Sequence, residues 1–104
     1  MLYNYHMHKG KILLIEDDSV IITLVKDTLE RENYFIQAAE TIRLARQKLS
    51  KNIPDMIILD RKLPDGEGLD LCRELRAQDK TKNIPVLFLT AFGSTSDKIT
   101  GLKV

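Results

Sequence analysis

The sequence predicts an α/β fold with a doubly wound parallel sheet. Short, uninterrupted apolar runs alternate with segments whose apolar residues recur at helical spacing. Each parallel crossover needs a helix to return the chain, so this alternation points to helices packed over a parallel sheet. The apolar runs also end in acids or small polar residues, and ligands in such folds bind beyond the carboxyl ends of the strands.

Lys11-Ile12-Leu13-Leu14-Ile15 stops at Glu16, Asp17 and Asp18, as expected of a strand buried on both faces. From Ser19, Ile21, Leu24, Val25, Thr28 and Leu29 follow helical spacing, with Asp18 or Ser19 as the cap. Tyr34 to Ala38 is a brief β-prone segment, and Ile42, Ala45 and Leu49 share the face of a second helix. Asn52-Ile53-Pro54 then breaks the chain before Asp55 to Asp60, whose four consecutive apolar residues are too few for a helix and suit a central strand.

Leu63-Pro64-Asp65-Gly66-Glu67-Gly68 reads as a loop. Leu69, Leu71, Cys72 and Leu75 pattern a third helix to about Gln78, and Val86-Leu87-Phe88-Leu89 is a fourth strand after Asn83-Ile84-Pro85. A further helix is expected from near Thr95. Residues 1–10 show no usable period and are set aside as an extension, which leaves one domain over 11–104.

Composition narrows the function. Sixteen Lys and Arg against fifteen Asp and Glu give a net charge of +1, too weak a field to predict nucleic acid or an anionic membrane as partner. The single cysteine, Cys72, cannot form an internal disulfide and is expected as a small buried hydrophobe, and no apolar stretch approaches a membrane span. A reducing cytosol fits this chain.

The chemistry lies at the strand ends: Glu16, Asp17 and Asp18 after the first strand, Asp60 after the third, and Thr90 with Ala91 after the fourth. If the strands are parallel neighbours, these groups converge, and the clustered carboxylates need a cation. Oxygen-only ligands point to a hard ion, and Mg²⁺ leaves room for a phosphate. A carboxylate beside Mg²⁺ can attack a phosphoryl group, with Thr90 donating a hydrogen bond to it and Ala91 leaving it space. Taken singly, each acid is more readily a cap or turn former, Asp18 and Asp65 above all. His6 and His8 lack a third metal ligand, and Arg61 and Lys62 read equally as phosphate-steering groups or solvated loop charges.

These residues resemble the receiver domain of bacterial two-component response regulators, over Lys11 to Val104. Ile12 to Asp18 looks like the family's first strand and acidic pair, Ile57-Ile58-Leu59-Asp60 like its phosphorylation strand, Leu63 to Gly68 like the following loop, and Pro85 to Ala91 like the fourth strand with its switch hydroxyl. The resemblance implies a flavodoxin-like strand order 2-1-3-4. It also implies that Asp60 accepts phosphate from a histidine kinase or phosphotransfer protein. Asp17, Asp60 and the backbone carbonyl of Lys62 would hold Mg²⁺, Glu16 would support it through water, and Thr90 would swing toward the phosphoryl group. The implied role is a phosphorylation-gated switch that catalyses its own modification, not a conventional enzyme.

No residue matches the lysine that the family places after its fifth strand, and that strand with its last helix would need on the order of twenty to thirty more residues. A fragment of a longer regulator is therefore expected, with an open fourth-strand edge and a tendency to form a homodimer or exchange elements, which a light-scattering mass tests. Two other classes compete. A phosphorylation-independent interaction module would keep the fold without the chemistry, and a flavodoxin-like cofactor binder would want a phosphate-cradling loop where this chain is acidic.

Overall fold

A computed structural model describes residues 8–89. Four parallel strands, β1 (Gly10–Ile15), β2 (Tyr34–Ala39), β3 (Met56–Asp60) and β6 (Val86–Leu89), form a sheet of order β2-β1-β3-β6. This is the 2-1-3-4 order expected, with two short strands, β4 (Lys62–Leu63) and β5 (Gly66–Glu67), paired antiparallel outside it. The helices are α1 (Ser19–Arg31), α2 (Ile42–Lys51) and α3 (Gly68–Arg76). Thr90, Ala91, His6 and the helix expected near Thr95 lie outside the described residues.

Side chains of the central strands alternate between two cores. Leu13, Ile15, Ile57, Leu59, Val86 and Phe88 pack with Ile42, Ala45 and Leu49 of α2 and Leu71, Cys72 and Leu75 of α3. Ile12, Leu14, Ile36 and Ile58 meet Ile22, Val25 and Leu29 of α1 on the other face. Covering on both faces explains why the strands read as unbroken apolar runs. Cys72 is buried, as expected of a small hydrophobe. Helix α1 buries none of its residues fully and leaves Val20 73% and Leu24 64% exposed.

Several boundaries differ from the sequence expectation. Gly10, assigned to the extension, is the first residue of β1 and pairs with Tyr34, and Lys9 N–H already donates to the Asn33 carbonyl. The Leu63–Gly68 loop contains a two-residue hairpin, and α3 starts on Gly68 itself. It stops at Arg76 rather than Gln78 because the chain turns back, and the buried Thr81 hydroxyl donates to the Leu75 carbonyl at 2.6 Å. Thr81→Val is expected to cost about 1 kcal/mol through that lost bond, the Leu75 carbonyl keeping the longer one from Gln78 N–H, and to be read as a lower urea midpoint with unchanged slope. Helix α1 ends where Asn33 takes φ 71°, a left-handed stop that asparagine tolerates.

Candidate metal centre

Sheet register places the acids. Ile15 pairs with Leu59, so the next residues, Glu16 and Asp60, reach the same level on adjacent strands. Asp60 in turn pairs with Leu89, the residue before Thr90. Glu16 is 0% and Asp60 3% exposed, while Asp17 begins the loop and is open to solvent. One carboxylate oxygen from each of Glu16, Asp17 and Asp60 lies within 4.8 Å of the others.

That arrangement is electrostatically costly. Burial is the largest cause that pushes the Glu16 carboxyl up to about 7 from its ordinary 4.5; the Asp18 N–H opposes it, and the charges of Asp60, Asp17 and Asp18 add to it. Burial also raises Asp60, against the backbone N–H groups of Lys62 and Arg61 and the hydrogen bond a protonated Glu16 gives it, and with the charge of Asp17. Glu16 Oε2 accepts from Asp18 N–H at 2.9 Å, whereas the ionised Oε1 is buried with no partner among the described residues. None of the ion pairs among the described residues includes Glu16, Asp17 or Asp60. Three carboxylates, one with an orphaned oxygen and none with a basic partner among the described residues, fit a hard divalent cation.

The neighbouring acids have other duties. Asp18 caps α1, its Oδ1 accepting from Val20 and Ile21 N–H at 2.8 and 3.3 Å. Asp65, in the turn between β4 and β5, accepts from Ile42 and Arg43 N–H at 2.8 and 3.0 Å and so caps α2 from a distant segment. Those N–H groups hold its carboxyl below the usual range, with Arg46 contributing. Lys62 lies two residues past Asp60, and both it and Arg61 are exposed, as solvated loop charges would be.

Two contributors escaped the sequence reading. Gly68 donates its N–H to the Arg61 carbonyl at 2.6 Å, and a Cβ there would run into the Asp60 carbonyl oxygen. The loop residues offered no signal beyond their turn-forming composition. Asp65 was legible as a turn former but not as the cap of a helix 22 residues away. His8, without a third ligand, packs its ring against Phe35 at 5.7 Å between centroids.

Among the described residues no helix is long and apolar enough to cross a membrane. Comparison with known proteins gives a consistent family. The model of the response regulator receiver domain matches residues 12–104. The chain is 35% identical over 92 residues to the phosphate regulon transcriptional regulatory protein PhoB of Rhizobium meliloti, covering 88% of this chain and 40% of that protein. It is 42% identical over 92 residues to the DNA-binding dual master transcriptional regulator RpaA of a Synechocystis species, covering 88% and 38%. It therefore spans about two fifths of the length of these curated relatives. The chemotaxis response regulator CheY4 of Vibrio cholerae superposes with a TM-score of 0.76 at 32% identity, over 88% of this chain and 77% of that one. With the strand order, the acidic cluster and the matched span in agreement, this chain belongs to the response regulator receiver domain family.

Proposed function

We propose that this chain is the phosphorylation-gated switch of a two-component phosphorelay in the cytoplasm, and that Asp60 accepts the phosphoryl group from a histidine kinase or phosphotransfer protein. The observation that carries this reading is the convergence of Glu16, Asp17 and Asp60 oxygens within 4.8 Å at the ends of adjacent strands. Asp17, Asp60 and the Lys62 backbone carbonyl would hold Mg²⁺, with Glu16 supporting it through water. Bound there, the ion offsets charge on the carboxylates and the phosphoryl oxygens.

In this reading an Asp60 carboxylate oxygen attacks phosphorus in line, forming the acyl phosphate as the bond to the donor's nitrogen or oxygen breaks. Burial keeps Asp60 poorly solvated, and the N–H groups of Arg61 and Lys62 orient the carboxylate. Thr90, which follows Leu89 in sequence, would donate its hydroxyl to the phosphoryl group, and Ala91 would leave it room. In the same reading the receiver domain begins near residue 11 and is incomplete within residues 11–104. The chain modifies itself and turns over no separate substrate, so it is not a conventional enzyme. The names of these relatives, transcriptional regulators of which this chain covers about two fifths, support a switch that controls transcription through their remaining parts.

The test is to incubate the chain with Mg²⁺ and acetyl phosphate, or with beryllium fluoride, and follow intact mass and amide shifts beside Asp60→Asn. The expected result is a gain of one phosphoryl group in the wild type and none in the variant. No response in the wild type, or an equal response in D60N, sinks the reading in favour of an interaction module.

The kinase needs a surface near Asp60. Val20 and Leu24, one helical turn apart at the start of α1, are the most exposed large hydrophobic residues among those described. An exposed apolar pair at the start of the helix that follows Glu16 and Asp17 suits partner contact. Leu24→Glu is expected to slow phosphotransfer from the kinase about tenfold or more while leaving the rate with acetyl phosphate unchanged.

A further inference from the structure

We infer that Asp65 is a positioning residue of the phosphoacceptor site, holding the segment that follows Asp60 by anchoring it to the N-terminus of α2. The inference rests on the proposed role of Asp60 and concerns residues 61–67, which carry the Lys62 carbonyl and the N–H groups beside the Asp60 carboxylate. Asp65 spends both of its oxygens on α2, one on Ile42 N–H and one on Arg43 N–H. Helix α2 already has a local cap, because Thr41 Oγ1 accepts from Leu44 N–H at 3.1 Å. A second acceptor from 22 residues away therefore fixes where the hairpin sits as much as it completes the helix end.

The rest of the hairpin is tied down on the same plan. Leu63 is buried in the core cluster that contains Ile42, and Gly68 N–H closes the loop onto the Arg61 carbonyl. Helices α2 and α3 are themselves joined, with Arg46 Nε and Nη2 donating to the two Glu74 oxygens at 3.0 and 2.8 Å. The polar ties thus run in a ring from the loop through Asp65 to α2, through Arg46 and Glu74 to α3, and through Gly68 back to the loop. Asp65 is the one link in that ring that belongs to the hairpin tip, so its loss loosens the hairpin that carries Lys62, with Arg61 beside it, while Glu16, Asp17 and Asp60 stay at their strand ends.

Asp65→Ala, Asp65→Asn and Thr41→Ala separate positioning from helix stability. Thr41→Ala removes a cap from the same helix without touching the hairpin. Mg²⁺ titrations followed by amide shifts are expected to show about a tenfold higher half-saturation in D65A, with the phosphorylation rate at saturating Mg²⁺ close to wild type. D65N, which keeps one acceptor oxygen, is expected to fall between, and T41A is expected to match the wild type. In the metal-free chain, hydrogen exchange at Arg61 and Lys62 is expected to accelerate in D65A and not in T41A. Unchanged exchange at those two residues in D65A, or equal effects in D65A and T41A, overturns the inference. A wild type that takes no phosphate removes the Asp60 reading alone, because the exchange comparison needs neither phosphate nor metal.

Discussion

Gly68→Ala is expected to destabilise the chain by about 3 kcal/mol and to weaken the metal site with it. The new Cβ would strike the Asp60 carbonyl oxygen and lie 3.2 Å from Arg61 Cα. Both are main-chain atoms at the end of a strand buried between two cores, so neither can swing aside as a flexible side chain can. Relief requires moving the start of α3, which breaks the bond from Gly68 N–H to the Arg61 carbonyl, or tilting the strand end, which carries Asp60 away from Glu16. Gly10→Ala is the matched control. Its Cβ would meet Asp55 Oδ2 at 3.2 Å, and that carboxylate can rotate away. The expected cost there is under about 1 kcal/mol, chiefly a weakened bond from Lys11 N–H to Asp55. Urea denaturation of both variants checks the contrast, and a G68A midpoint no lower than that of G10A would show that the loop yields.

The contrast between these two glycines marks where sequence reading stops. Central strands were legible because covering on both faces leaves an unbroken apolar run, as in Ile12 to Ile15 and Met56 to Leu59. The site acids were legible because a parallel sheet brings strand ends together, and register then sets Glu16 level with Asp60. Asp18 as the cap of α1 followed from local spacing. Gly68 and Asp65 behave differently. Their partners are the Asp60 carbonyl and the N–H groups of Ile42 and Arg43, and neither contact leaves a periodic trace in the sequence. Turn-forming composition identified the Leu63–Gly68 segment as irregular but could not say which of its residues bear on the site. The orphaned Oε1 of Glu16 was likewise beyond a sequence argument, since an acid after a strand reads the same whether its oxygens face water or protein.

That oxygen leads to the second large effect. With its carboxyl raised to about 7, Glu16 holds a proton in the folded metal-free chain that it loses near 4.5 when unfolded. Between those values the folded state binds more protons than the unfolded, so stability falls as pH rises through the window and levels off above it. The loss attributable to Glu16 is on the order of 3 kcal/mol, with Asp60 adding a contribution of the same sign. Glu16→Gln removes the charge and keeps the shape, so metal-free E16Q is expected to be more stable than the wild type above pH 7 by about 2 kcal/mol and to lose most of the slope. Divalent metal reverses the order. Binding requires the ionised carboxylates, so wild-type affinity for Mg²⁺ is expected to fall as pH drops below 7, with a proton released per ion bound. E16Q is expected to bind about ten- to a hundredfold more weakly with a flatter pH profile. Urea melts at pH 5 and pH 8 with chelator or with excess Mg²⁺, and calorimetry in buffers of different ionisation enthalpy, read both effects. Metal-free E16Q less stable than the wild type at pH 8 would mean that the unpaired oxygen finds a partner within the chain, and the case for a cation between Glu16, Asp17 and Asp60 would lose its electrostatic ground.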